Sequence, residues 1–396
     1  MNTGPDRRWR VLLVHNRYQR RGGEDAVVDA EAALLQQHGH AVARYERHND
    51  DADTLSAAQL ARDTLWSTRT ARELRALAQR FRPDVVHVHN SFALISPSAH
   101  ATAHALGLPV LQTLHNFRLL CPQATLLRDG RPCTDCVGRV PWRAVWHRCY
   151  RASAPHSAAL ATLLQLHRLR GTWQRDVTLF IALNRWCADT FVRGGLDAQR
   201  LRIKPHFVDL PAPPDGPRQG LLWVGRLSAE KGTALLARAA ALRPGAAPVR
   251  VLGDGPERQR LQGLPGLQLL GEASPDAVRR EMQRASALLL PSLAAESFPR
   301  TLVEAFACAL PVIASRAGAL PELVADGRTG WLFDADAPDA AEQLAACLRR
   351  ADAQPDTLRA LGRAARQHQQ RHWSGEANHR QLCALYAEAQ ALHAAA

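Results

Sequence analysis

The chain has 396 residues, a formal net charge of +13, and 46% hydrophobic and 22% charged residues. That balance excludes a disordered chain and favours two globular domains, each large enough to bury its own core. No run approaches the roughly 20 apolar residues of a membrane span, and the apolar segment 11–14 is too short for a signal-peptide core, so the expected location is cytoplasmic. Nearly all the cations are arginine, the lysines being Lys204 and Lys231 alone. There is no polybasic block, C2H2 pattern or RNP motif, so nucleic acid is not an expected partner, whereas anionic small molecules and lipids are.

Residues 10–15 (RVLLVH) form the first predicted buried strand, followed by Gly22-Gly23 and a helical stretch, 24–38, with Val27, Val28, Ala32 and Leu35 on one face. Paired glycines at a helix N-terminus either let a phosphate or sugar approach the backbone or make a tight turn without a ligand. The spacing is not the G-x-G-x-x-G of dinucleotide binding. Residues 84–89 (DVVHVH) and 109–115 (PVLQTLH) are further strands, each preceded by helical sequence, which is the alternation of a parallel sheet. His89-Asn90 and His115-Asn116 fall at their carboxyl ends, the edge where α/β proteins bind ligands, with a structural role as the alternative.

Cys121, Cys133, Cys136 and Cys149 lie within 29 residues, interleaved with glycine and proline. In a reducing cytosol a structural tetrathiolate zinc site accounts for them better than disulfides, with His147 as a substitute ligand and simple packing as the alternative. Cys187, Cys308, Cys347 and Cys383 read as buried apolar residues. Residues 158–170 (AALATLLQLHRLR) form an amphipathic helix suited to an anionic membrane or to the domain core. Strands at 177–183 and 201–208 lead to the proline-rich linker 210–219 (LPAPPDGPRQ).

A second α/β alternation starts at once: a strand at 221–224, the turn Gly225-Arg226 through Glu230-Lys231-Gly232 into a helix, a strand at 249–252, then Gly253-Asp254-Gly255-Pro256. Arg226 and Lys231, five apart across a turn, are expected to converge on one diphosphate, the arginine as a fork and the lysine as a point charge. The stretch 290–315 (LPSLAAESFPRTLVEAFACALPVIAS) organises the rest. A strand ends in a loop carrying Glu296, a helix from near Arg300 carries Glu304 in its first turns, and another strand returns at 311–314. Amides of Thr301 and Leu302 are expected to face an anion at the carboxyl edge. The two glutamates suit the paired hydroxyls of a sugar and a ribose, although the helix dipole alone also favours glutamate there. Residues 374–393 form a long helical tail.

In order and spacing, the motifs 225–232 (GRLSAEKG), 253–256 (GDGP), Glu296-Ser297-Phe298 through Glu304, 317–322 (AGALPE) and 326–330 (DGRTG), with Gly22-Gly23 near the N-terminus, resemble glycosyltransferase family 4 over nearly the whole chain. The resemblance implies an α/β GT-B fold of two Rossmann-like domains facing across a cleft. Residues 1–209 would be the acceptor side, with a Cys-rich insertion at 117–150; 218–373 would bind the donor; 374–396 would pack back on the first domain. It also implies a retaining hexosyltransferase that moves a sugar from a nucleotide-diphosphate sugar to a glycan or lipid-linked acceptor, in bacterial surface polysaccharide synthesis, with peripheral contact to the inner face of an anionic membrane as a further expectation. Arg226 and Lys231 would hold the diphosphate and neutralise charge on the leaving group. Glu304 would bind the ribose, and Glu296 and His115 would face the sugar. Gly225, Gly253, Gly255, Pro256, Ser297, Phe298, Thr301 and Leu302 would line the donor site, with Gly22 and Gly23 approaching from across the cleft. Pro299 stands where many members have glycine, and without an amide hydrogen it removes one contact to the sugar. No cofactor is implied for catalysis, since Arg226 and Lys231 already supply positive charge to the phosphates, and front-face attack, in which the leaving phosphate helps deprotonate the acceptor, requires no second carboxylate. The alternatives are a GT-B nucleotide-sugar epimerase and a non-catalytic nucleotide-sugar-binding protein.

Overall fold

The unbroken apolar runs of the sequence become fully buried parallel strands, which only a sheet covered on both faces can accommodate. The computed structural model describes residues 7–214 and 216–395. They divide into two compact units: the first comprises residues 7–124, 134–205 and 375–395, and the second Thr125–Cys133 and His206–Ser374.

The chain supplies strands β1 (Arg10–Arg17), β2 (Ala41–His48), β3 (Val85–Asn90) and β4 (Val110–Thr113), then a two-stranded hairpin of β5 (Leu127–Arg128) and β6 (Arg131–Pro132), then β7 (Leu179–Ala182) and β8 (Leu201–Ile203). The first unit's sheet has the order β2-β1-β3-β4-β7-β8 and is parallel throughout. Its core gathers Val11, Leu13, Leu35, Leu111 and Ile181 together with Leu382, Leu385, Tyr386 and Ala389. The last four are spaced as one stripe of the C-terminal helix Gly375–Ala395, which is therefore an integral part of this unit.

The second unit continues with β9 (Leu221–Val224), β10 (Val249–Leu252), β11 (Leu267–Gly271), β12 (Ala287–Leu290), β13 (Val312–Ser315) and β14 (Gly330–Phe333). They form a parallel sheet of order β11-β10-β9-β12-β13-β14. Trp223, Leu236, Leu289 and Leu344 are central to its core.

Besides the hairpin strands β5 and β6, three strands of the large sheets go beyond the sequence expectation, β2, β11 and β14, and each lies at an edge of its sheet. Edge strands are covered less completely: β2 buries Tyr45 alone and β11 alternates between half-buried and exposed, so neither carries an apolar run to read. The boundary between units also falls earlier than the proline-rich linker. Val208 donates its amide to Trp373 O and accepts from Gln369 Nε2 at 2.7 Å, which ties residues 206–208 to the second unit. Likewise the hairpin Thr125–Cys133 groups with the second unit, whereas the sequence assigns all of 117–150 to the first. The hairpin carries its own pairing around an Asp129-Gly130 turn with φ of +52° and +74°, so it does not depend on either large sheet.

Candidate active site

In the second unit the strand order reverses between the neighbours β9 and β12, and at such a switch point the loops after two adjacent strands diverge and leave room for a ligand. The loop after β9 carries Gly225, Arg226 and Lys231, and the loop after β12 carries Glu296. Backbone packing fixes both. A Cβ on Gly253 would lie 1.8 Å from Gly225 O, so the 253–256 loop can lace onto the 225–227 loop only as glycine; Leu227 N donates to Asp254 O at 2.9 Å. Gly318 has φ +58° and its Cβ would meet Glu296 N at 2.6 Å, while Ala319 N donates to Glu296 O. The AGALPE motif thus holds the backbone of the acidic loop.

Glu296 Oε1 accepts from Lys231 Nζ at 2.7 Å and from Ser292 Oγ at 2.6 Å. Burial alone would lower the Lys231 pKa, but the Glu296 charge and hydrogen bond outweigh it and hold the ammonium above its ordinary value. Arg226 is exposed and makes no side-chain bond among the described residues, so its guanidinium is available to an anion. Glu304, in the helix Arg300–Ala307, accepts from Arg300 Nε at 2.7 Å and keeps its second oxygen for another donor.

Two expected contacts change. The Leu302 amide already donates to Pro299 O at 3.0 Å, closing the first turn, so it does not face an anion. The Leu302 side chain is fully buried. Phe298 is a core residue, packed edge-on against His206 and Trp373 at ring distances of 5.6 and 5.1 Å, because a phenyl ring in an otherwise half-buried loop gains most by turning inward. Any donor contact at Phe298 is left to its backbone. Thr301, Ser297 and Pro256 stay at least partly accessible.

In the first unit the switch point lies between β1 and β3. Gly22 caps the helix Gly23–Gln37 with extended φ of −113°, so no unusual conformation demands glycine there, and a Cβ would meet nothing closer than 3.9 Å. Asp25 takes the Gly22 amide at 2.8 Å and His15 Nε2 at 2.8 Å, closing the loop from within. Glu24 accepts from Tyr18 Oη and from Asn116 Nδ2, and burial raises its carboxyl pKa.

His115, at the end of β4, shares a 3.0 Å hydrogen bond from its Nε2 to His89 Nδ1. His89 Nε2 faces Glu31 Oε2 at 3.6 Å, and the other carboxylate oxygen takes Lys204 Nζ at 2.5 Å. All but His115 in this chain are buried essentially completely. Burial, then the neighbouring histidines, push His89 well below the usual range, so it is neutral. The carboxylate favours the proton on His89 Nε2; Nδ1 then accepts, and His115 donates from its Nε2. The order is Lys204, Glu31, His89, His115. Glu31 and Lys204 are absent from the sequence-derived site, yet both leave a trace: Glu31 sits on the same helix face as Val27, Val28 and Leu35, where a carboxylate needs a buried partner, and Lys204 is one of two lysines in an arginine-rich chain.

Among the described residues, two groups of three His, Cys, Asp or Glu place their ligand atoms within 4.8 Å of one another. In Glu31, His87 and His89 the Lys204 ammonium already occupies the carboxylate. In His40, His379 and Cys383, the Trp9 amide donates to His40 Nδ1, which leaves the proton on Nε2, aimed at His379 Nε2 at 2.8 Å. That is a hydrogen bond rather than a pair of open ligands. Neither group draws on Cys121, Cys133, Cys136 or Cys149, none of which forms a disulfide.

The family described as Glycosyltransferase Family 4 matches residues 21–211, and Glycosyl transferases group 1 matches residues 218–350. A GDP-mannose-dependent alpha-mannosyltransferase of Mycobacterium tuberculosis is 30% identical over 283 residues, which is 69% of this chain and 68% of that protein. The chain belongs to glycosyltransferase family 4. Sulfoquinovosyl transferase SQD2 of Arabidopsis thaliana is 24% identical over 74% of this chain and 54% of its own length. The chain spans about half the length of the first three curated relatives it matches. The crystal structure of Anabaena Alr3699/HepE in complex with UDP-glucose superposes with a TM-score of 0.68 at 17% identity, covering 96% of this chain and 100% of that one. The fold of this family 4 chain is therefore GT-B, two Rossmann-like domains with a helical C-terminus. No helix among the described residues is long and apolar enough to cross a membrane.

Proposed function

We propose that this chain is a retaining glycosyltransferase that moves a hexose from a nucleotide-diphosphate sugar to a glycan or lipid-linked acceptor at the cytoplasmic face of a bacterial membrane, in surface polysaccharide synthesis. The observation that carries the reading is the uncommitted Arg226 beside a Lys231 that its Glu296 partner keeps protonated, on loops at the β9/β12 switch point. The bond from the anomeric carbon to the diphosphate oxygen breaks, the acceptor oxygen takes its place on the same face, and the acceptor proton passes to the departing phosphate. Arg226 and Lys231 stabilise the charge that grows on that phosphate. Glu304 binds ribose hydroxyls, and Glu296 and His115 face the sugar. UDP- and GDP-sugars are the donors to test, since relatives carry those nucleotides in their names.

The test incubates the protein with each nucleotide sugar, with and without a sugar acceptor, and follows nucleoside diphosphate release and the anomeric configuration of the product by NMR. Release accelerated by acceptor, with retention, supports transfer; an epimerised sugar without acceptor supports the epimerase reading, and neither would leave a binding protein. With both cations in place, transfer needs no divalent metal in the site. Brief chelation leaving turnover unchanged is the expected result, and activity restored only by Mg²⁺ or Mn²⁺ overturns it.

The structural zinc expected at Cys121, Cys133, Cys136 and Cys149 rests on their spacing in the sequence and on the need of a glycine- and proline-rich loop for a staple. About one zinc per chain, lost in Cys136→Ser, is expected on that reading. Metal-free protein with an unchanged melting temperature removes it.

A further inference from the structure

The four most exposed large hydrophobic side chains among the described residues are Val140 at 53%, Trp142 at 57%, Leu169 at 76% and Trp146 at 77%; none of the others exceeds 43%. All four belong to the first unit. Val140 and the two tryptophans lie in one loop and a short helix, Arg143–Trp146, whose inner side is anchored by the buried Ala144. Leu169 ends the helix Ala154–Leu169, and its neighbour Arg168 donates to Arg139 O at 2.6 Å and to Leu119 O, which draws that helix end against the loop. Leu160, Leu163 and Leu164 of the same helix are buried. The helix expected from sequence as a membrane candidate thus spends its apolar face on the core, and the exposed apolar surface lies in the loop beside it.

Between residues 137 and 153 the chain carries Arg139, Arg143, Arg148 and Arg151 and no carboxylate. Arg139, Arg148 and Arg151 are exposed. Arg143 answers the nearest acid, Asp135, at 3.4 Å. A groove of about 480 Å³ opens here, lined by Asp135, Arg139, Val140, Trp142 and Arg143. Exposed tryptophan is costly in water but suits the headgroup level of a bilayer, where an apolar ring meets a polar boundary. Arginines around it would meet lipid phosphates. Nucleic acid would account for the arginines and leave Val140 and Leu169 in water, whereas an anionic membrane accounts for both sets.

We propose that this surface docks the protein on an anionic lipid bilayer, with Trp142 and Trp146 inserted at headgroup depth and Arg139, Arg148 and Arg151 on the lipid phosphates. It lies outside the loops assigned to transfer, and its test needs no turnover.

The experiment mixes full-length protein with vesicles of phosphatidylcholine alone or of equal parts phosphatidylcholine and phosphatidylglycerol, and follows sedimentation and tryptophan quenching by brominated phospholipid. Binding to the anionic vesicles with quenching is expected. The double variant Trp142→Ala/Trp146→Ala should bind roughly tenfold or more weakly with an unchanged melting temperature, because both rings are already in solvent. Arg148→Glu/Arg151→Glu should also weaken binding, by about fivefold per arginine removed. Roughly 1 M salt, where the Debye length is about 3 Å, should weaken the wild type and leave residual binding. No vesicle binding, or equal binding by the tryptophan variant, overturns the proposal. So does a tryptophan variant that instead raises the KM for a soluble glycan acceptor, or one that converts a dimer into a monomer.

Discussion

The two sheet edges use charge in opposite ways. In the second unit the cations are displayed: Arg226 is exposed and Lys231 shares its carboxylate with a hydroxyl. In the first unit the charge is consumed internally, with Lys204 and Glu31 sealed from solvent and linked toward the edge through the neutral His89 to His115. A charged ligand can bind directly to the first arrangement; the second keeps its ion pair buried and out of reach.

The largest effect should come from breaking the sealed pair. Lys204→Met leaves Glu31 buried without its cation and should destabilise the first unit by roughly 3–5 kcal/mol, splitting a urea unfolding curve into two steps; a single transition at the wild-type midpoint would contradict the buried pair. Next, Arg226→Ala and Lys231→Ala should each lose about 2–4 kcal/mol of transition-state stabilisation, read from kcat/KM, with stability retained. Unchanged turnover in both would end the reading of a displayed diphosphate site.

Acid should separate the units as well. Burial lowers His87 and His100 from 6.5 to about 4, so the folded protein binds fewer protons than the unfolded chain between those values and stability rises with pH. Their contribution is whole above about pH 6.5 and fades toward about pH 4, each costing roughly 2 kcal/mol by pH 5. Hydrogen exchange at pH 5 should therefore show the first unit loosening before the second, and simultaneous loosening would argue that these histidines are not held neutral. The smallest effect is expected for His89→Asn, which breaks the link from Glu31 to His115. Turnover should fall about tenfold, the scale of one net hydrogen bond, with the donor KM little changed; a change in KM alone would place His115 away from the sugar.

The second edge was legible because its residues are consecutive in short loops. Val249–Leu252 is the expected strand residue for residue, and the glycines that follow it are fixed by backbone contact with Gly225 and Leu227, so spacing alone carries the geometry. The first edge was legible only at its rim, at Gly22, His89 and His115. Glu31, Lys204 and Asn378 meet from three distant parts of the chain, and no local pattern joins positions separated by 173 and 174 residues. At Phe298 the sequence is silent for another reason: a motif records which residue stands at a position but not which way its ring turns, and here it turns inward.

The C-terminal helix has a consequence for the order in which the protein is made. Residues 206–374 leave the ribosome as a finished unit while the first unit still lacks residues 375–395. Until they emerge, Lys204 has no Asn378, His87 has no Tyr386, and one face of the first sheet has no Leu382 or Ala389 to cover it. The half of the protein begun first is thus completed last, and a nascent chain halted at residue 374 would present a folded second unit joined to a first unit open along its core, the natural point for a chaperone to attend.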